Sequence, residues 1–272
     1  MNGRNRMRGA GEILFPLFLY YVLNMAVPFF LSFFWPGLSE EEQVMWLLTV
    51  TNCCLIPVFA WMYQRARIRE QCLRQEQERK IRWKRKWGFR EVLLAAAGAV
   101  CISRGVNLFL GLTFLPRLFR GYETVQAELY GASPLSQAAA SVLSAPVLEE
   151  LLMRGLIYPR LRDVFSGPRA AVFGSALIFG LFHGNVVQGL YAFCLGLFFA
   201  QVYESLDSLL PVIIAHGAAN GATLLAARFS LWGQGFPGPV LYEFTAAVYL
   251  LLGGVLWKKI MKESIEFPRE NC

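Results

Sequence analysis

Five polar side chains in the second half of the chain are of the types that hydrolytic chemistry uses. Glu149 and Glu150 are adjacent in the run Ala145-Pro146-Val147-Leu148-Glu149-Glu150-Leu151-Leu152-Met153-Arg154-Gly155. His183 follows in Phe179-Gly180-Leu181-Phe182-His183-Gly184, and His216 and Asn220 in His216-Gly217-Ala218-Ala219-Asn220-Gly221. His183 and His216 are the two histidines of the chain. On a helix, adjacent carboxylates point about 100° apart and so face different neighbours. Glu150 and Arg154, four apart, share a face and can form an ion pair, which leaves Glu149 free. His216 and Asn220 also share a face.

A carboxylate beside a His can deprotonate a water. A second His with an Asn can donate hydrogen bonds to a developing oxyanion. Together these hydrolyse a carbonyl compound such as a peptide bond. Three other readings use the same residues. One is a divalent metal, zinc for instance, held by Glu149, His183 and His216, although no His-Glu-x-x-His is present. Another is a proton relay in a transporter. The plainest is structural: one Glu pairs with Arg154 and the other with a neighbouring helix.

These residues sit in apolar sequence. The 272-residue chain is 56% hydrophobic and 17% charged, which excludes a disordered chain and is too apolar for an ordinary soluble domain. A spanning helix takes about 20 apolar residues. Eight stretches qualify: Ile13–Phe34, Val44–Tyr63, Val92–Leu115 (carrying Arg104 and Asn107), one within Pro134–Tyr158, Arg169–His183, Val186–Tyr203, Leu209–Phe229 and Leu241–Trp257. The expected fold is all-α, a polytopic membrane helix bundle of about eight transmembrane helices. Ionisable groups inside such spans cost about 2.5–3.5 kcal/mol each on insertion scales and are functional candidates by default. Gly180/Gly184 and Gly217/Gly221 have the spacing that lets helices approach closely.

The formal charge is +7 and the pI about 9.2. Residues Gln64–Arg90 hold eleven Lys or Arg and three Glu, a net of +8, so the rest of the chain is nearly neutral. A basic segment between two spans binds anionic lipid headgroups and fixes topology, and is not evidence for nucleic acid. With this linker inside, the flank Arg4, Arg6 and Arg8, the loop of Arg160, Arg162 and Arg169, and the tail Lys258, Lys259 and Lys262 also fall inside. Both termini are then cytoplasmic. The loop of Glu204 and Asp207 lacks a cation. The first apolar run is too long for a signal-peptide core and reads as a retained span. The cysteine spacing gives no metal signature, and small buried packing residues are expected. Cys272, at the end of the sequence, is not a prenylation box. Residues 134–229 form the expected catalytic core. Residues 1–133 give three spans with the basic linker, and 230–272 the last span and a basic tail, all within one membrane domain.

The order Glu149-Glu150-x-x-x-Arg154, Phe179-x-x-x-His183, His216-x-x-x-Asn220 on successive late spans resembles the CPBP family. That family comprises CAAX prenyl endopeptidases of the Ras-converting type and bacterial relatives linked to bacteriocin processing and immunity. The resemblance covers roughly Pro134–Phe229. It implies an intramembrane endopeptidase in which Glu149 activates water with His183. Glu150 is then a more structural carboxylate on Arg154, His216 and Asn220 stabilise the oxyanion, and Phe179 shapes the pocket. It favours catalysis without metal, with a metalloprotease as the alternative, and a prenylated, leader or other membrane-associated peptide as substrate. A non-catalytic scaffold or immunity protein is a second implication. The compact chain with short loops points to a bacterial or archaeal plasma membrane. One geometric demand follows. With both helices starting at the inner surface, His183 and His216 differ in depth by roughly 20 Å at 1.5 Å per residue. A shared site then requires tilted, short or recessed helices, or a water-filled funnel.

Overall fold

The computed structural model describes residues 3–33, 38–76, 87–119, 131–165, 167–229 and 239–265. Arg82, Lys84, Arg85 and Lys86 of the basic linker lie outside them. Among the described residues every regular element is helical: α1 (Gly3–Ser32), α2 (Glu40–Glu76), α3 (Phe89–Leu112), α4 (Leu115–Leu118), α5 (Pro134–Gln137), π1 (Ala138–Ser144), α6 (Ala145–Glu150), π2 (Leu151–Ile157), α7 (Tyr158–Phe165), α8 (Pro168–Leu181), α9 (Val186–Leu206), α10 (Leu209–Arg228) and α11 (Pro239–Ile265).

Six helices are long and apolar enough to cross a membrane, within α1, α2, α3, α9, α10 and α11. The apolar residues of α1 and α11 mostly face outward, with Phe18, Met25, Leu251 and Val255 among those exposed. Two helices this apolar and this unburied are at home only in lipid, and the protein is an integral membrane helix bundle. Cys53 and Cys54 lie on the outer face of α2 instead of being buried, because that face is itself apolar. The basic linker is helical as far as Glu76, so α2 runs well past the apolar span.

The other two expected spans have different shapes. Residues 134–165 are one continuous helical segment, α5 to α7, interrupted by two π-helical stretches. Helix α8 has 14 residues, about 21 Å of rise against a hydrocarbon core of about 30 Å. The chain turns back at once through Gly184, whose φ of 65° suits glycine. The side chain of Asn185 then caps α9, accepting from the N–H groups of Val187 and Gln188.

Close packing sets the α8–α9 pair. A Cβ on Gly180 would stand 2.7 Å from the carbonyl of Gly189, and one on Gly189 would stand 2.9 Å from that of Gly180. Among the described residues Gly184 has no neighbour within 4 Å of such a Cβ, so it serves the turn and not the packing expected of it. Polar clasps mark the ends of the bundle. At one end Glu12 of α1 meets Arg69 of α2 and Arg160 of α7, while Arg162 meets Glu204, and Arg67 meets Asp207. Segments expected on one side of the membrane therefore do converge, and the cation that the Glu204–Asp207 loop lacks comes from elsewhere in the chain. Elsewhere, Glu42 accepts from the backbone and hydroxyl of Ser133 and the hydroxyl of Ser136, tying the start of α5 to α2.

Candidate active site

Pro146 explains the unusual helix that carries Glu149. Proline has no N–H, so the i→i−4 ladder breaks where residue 146 should donate. Just before it, the N–H of Ala145 reaches back five residues to the carbonyl of Ala140, the π register. The carbonyl of Ser141 is then left over: its α-helical donor, Ala145, is committed elsewhere, and its π-helical donor would be Pro146. Asn220 of α10 takes that carbonyl, its Nδ2 donating at 2.8 Å. Gly217, one turn earlier, allows the approach, since a Cβ there would stand 2.9 Å from the carbonyl of Val142.

Glu150 and Arg154 are fully buried and paired, Arg154 Nη1 to Glu150 Oε1 at 3.0 Å. The second Arg154 nitrogen donates to the carbonyl of Gly196 at 2.9 Å. The guanidinium also lies 4.8 Å from the centre of the Phe179 ring and 5.5 Å from that of Phe199. Glu150 Oε1 accepts a second hydrogen bond, from His216 Nδ1 at 2.8 Å. His216 is 4% exposed, stacked on Phe199 at 4.8 Å, and presents Nε2 to Glu149 Oε2 at 3.7 Å. Glu149 is thus free of Arg154, as the spacing predicts, and lies against His216.

His183 sits just past the end of α8. Its Nδ1 donates to the carbonyl of Phe179 at 2.9 Å, which leaves Nε2 as the unprotonated nitrogen of the neutral ring. The His183 and His216 rings meet the Phe179 ring edge-on at 5.0 and 5.9 Å. The expected 20 Å separation in depth is therefore wrong. Helix α8 is too short to carry His183 to the far surface, and the ring folds back onto its own last turn.

A cavity of about 240 Å³ opens onto these groups. Glu149, His183 and Asn220 line it together; His216 stands behind the wall, on the two carboxylates. Leu48 of α2, Leu110 of α3 and Val187 of α9 supply apolar wall. Asn107, Tyr191 and Thr223 supply a further polar stretch that sequence reasoning did not tie to the site. Tyr20 of α1, within electrostatic reach of Glu149, was likewise missed. Only the polar character of Asn107 within an apolar span signalled it in the sequence. Among the described residues, no three His, Cys, Asp or Glu side chains stand together in a way that would hold a metal ion.

Residues 131–222 match the family model described as type II CAAX prenyl endopeptidase Rce1-like, about a third of the chain. That segment contains Glu149, Glu150, Arg154, Phe179, His183, His216 and Asn220, and its likeness is to CAAX-type membrane proteases. No curated protein and no solved structure gives a significant match.

Proposed function

We propose that the protein is an intramembrane endopeptidase that hydrolyses a peptide bond of a membrane-associated substrate without a metal ion. The observation that carries this reading is the opening of Glu149, His183 and Asn220 onto one cavity. The family match over the same segment supports a prenylated peptide as substrate. Leader peptides are the other candidate class. The site would lie within a plasma membrane, bacterial or archaeal, with both termini and the basic 64–90 linker facing the anionic cytoplasmic leaflet.

In this mechanism a water lies between Glu149 and the lone pair of His183 Nε2. Glu149 takes its proton as the oxygen attacks the carbonyl carbon. Asn220 gives one N–H to Ser141 and has a second for the oxyanion. His216, held by Glu150 through Nδ1, has its Nε2 on Glu149 at 3.7 Å and acts on the oxyanion through charge when both its nitrogens are protonated. Arg154, Glu150, protonated His216 and ionised Glu149 sum to zero charge, which suits a low-dielectric interior. Once Glu149 holds the proton the set carries +1, opposite the oxyanion's −1. The C–N bond then breaks and Glu149 passes the proton to the leaving amine, which restores its carboxylate.

The experiment is cleavage of a farnesylated peptide by the purified protein in liposomes, read by mass spectrometry. A discrete C-terminal fragment, formed by the wild type and lost in His183→Ala, is expected. Equal cleavage by His183→Ala would remove that residue from the mechanism.

A further inference from the structure

The cavity that serves Glu149 is not centred in the bundle. Asn107 of α3 and Thr223 of α10 meet on its wall, Asn107 Nδ2 donating to Thr223 Oγ1 at 3.3 Å. Each stands five residues before the end of its helix, about 7.5 Å of rise. Gln188, also on the wall, is in the first turn of α9, and Leu48 is near the start of α2. These helix ends share one face of the bundle, the face opposite the basic linker. The linker joins the end of α2 to the start of α3, so the start of α2 and the end of α3 lie at the other face. Asp207, just past the end of α9, pairs with Arg67 on the linker side of α2. Helix α10 starts there at Leu209 and finishes at the opposite face.

Toward the linker the bundle is closed. Every residue from Glu150 to Tyr158 is buried. Beyond them the Tyr158 hydroxyl donates to Glu204 at 2.8 Å, and the Arg162–Glu204 and Arg67–Asp207 ion pairs tie the helix ends together. On the other side of Glu149 the same segment is open: Ser141, Ala145 and Glu149, one turn apart on one face, are each partly exposed along the cavity. Charge assigns the two faces. The linker carries a net of +8, and Arg67, Arg69, Arg160, Arg162, Lys258 and Lys259 gather at its face. The opposite face has Glu40, Glu41 and Glu42 at the start of α2, with Arg117 and Arg228 as its basic residues among those described. Lysine and arginine stay on the cytoplasmic side, so the open end of the cavity is the extracytoplasmic one.

We propose that the cavity is entered from the extracytoplasmic face and that its substrate is the extracytoplasmic part of an exported or membrane-anchored polypeptide. This rests on the endopeptidase reading and narrows its substrate class. An exported leader peptide falls within the class, whereas a prenylated tail displayed in the cytoplasm meets the closed end. Asn220 lies eight residues before the end of α10, about 12 Å of rise. An extended segment covers about 3.3–3.6 Å per residue, so about four residues span that depth. The cleaved bond therefore belongs to a segment that dips into the outer half of the membrane.

The test places one cysteine at a time in the full chain, its native cysteines replaced by serine, and reads which side of the membrane reaches it. Gln188→Cys reports on the cavity mouth and Lys259→Cys on the linker face. Each is expressed in bacterial cells and treated with a membrane-impermeant maleimide, once in spheroplasts and once in inverted vesicles. Gln188→Cys is expected to react in spheroplasts, and Lys259→Cys in inverted vesicles alone. Reaction of Gln188→Cys in inverted vesicles alone, equally in both preparations or in neither overturns the proposal, as does reaction of Lys259→Cys in spheroplasts. Leu224→Cys, on the α10 side of the cavity, gives the same reading if Gln188→Cys does not fold. The activity reading adds the farnesylated peptide to the outside of vesicles of each orientation. Cleavage is expected in right-side-out vesicles and is lost in inverted ones, and equal rates overturn the proposal. Labelling needs no turnover, which separates the two proposals. Spheroplast labelling of Gln188→Cys with no cleavage by the purified wild type keeps the outward mouth and removes the endopeptidase. Cleavage with Gln188→Cys labelled in inverted vesicles alone keeps the endopeptidase and removes the extracytoplasmic substrate.

Discussion

Asn220 is anchored by the carbonyl of Ser141, 2.8 Å from its Nδ2, and that carbonyl is free because Pro146 lies five residues further on. A proline in one helix thus orients an amide on another. The same residue lines the cavity, so the backbone register of π1 would set the proposed oxyanion contact.

Removing the amide should therefore act on catalysis more than on folding. Asn220→Ala is expected to lower kcat by about 10²–10³, the usual cost of one oxyanion donor. Pro146→Ala restores an N–H that can reclaim the Ser141 or Val142 carbonyl. It should lower kcat while leaving the thermal midpoint equal or higher. Steady-state kinetics and a thermal melt of each purified variant check both.

Gly217 and Gly221 should respond differently to the same added methyl. At Gly217 a Cβ would stand 2.9 Å from the Val142 carbonyl, which is backbone; at Gly221 the nearest atom is a Val142 methyl at 3.6 Å. Gly217→Ala is expected to destabilise by about 1–3 kcal/mol and to abolish cleavage as α10 moves off π1. Gly221→Ala should be nearly silent. Thermal unfolding in detergent, with cleavage assayed alongside, separates them.

The part of this arrangement that the sequence reveals is the part set by local spacing. The Glu150–Arg154 pair is four residues apart on one helix and forms as the spacing predicts. The apolar runs predict helices, and six of them have full spanning length. The depth of His183 is different in kind. It depends on where α8 ends and how it packs on α9, through Gly180 and Gly189, and hydropathy along one helix carries neither quantity. The π stretches follow from Pro146 only in combination with Asn220, 74 residues later in the chain. Asn107, Tyr191 and Thr223 come from three separate helices, and nothing in their spacing joins them.

The buried pair should be far more sensitive to losing one member than both. Arg154→Leu leaves Glu150 fully buried without its guanidinium partner, at a cost of about 3–5 kcal/mol, and should sharply reduce the folded fraction. Glu150→Leu with Arg154→Leu should recover much of that stability. Cleavage should stay low, because His216 loses the carboxylate that holds Nδ1. Detergent melts and a cleavage assay on the single and double variants read both effects.

On the metal-free mechanism proposed above, metal removal should have no effect. Activity after exhaustive treatment with a zinc chelator is expected to equal that of the untreated protein, and added zinc should not raise it.

In the proposed mechanism Glu149 activates the attacking water. The most direct test of that role is the cleavage rate of Glu149→Gln, reconstituted in liposomes beside the wild type at equal folded concentration. The substitution keeps the shape of the side chain and removes its ability to take a proton. A folded protein with the wild-type thermal midpoint and no cleavage above background is expected. A rate within a few fold of the wild type would remove Glu149 from that role.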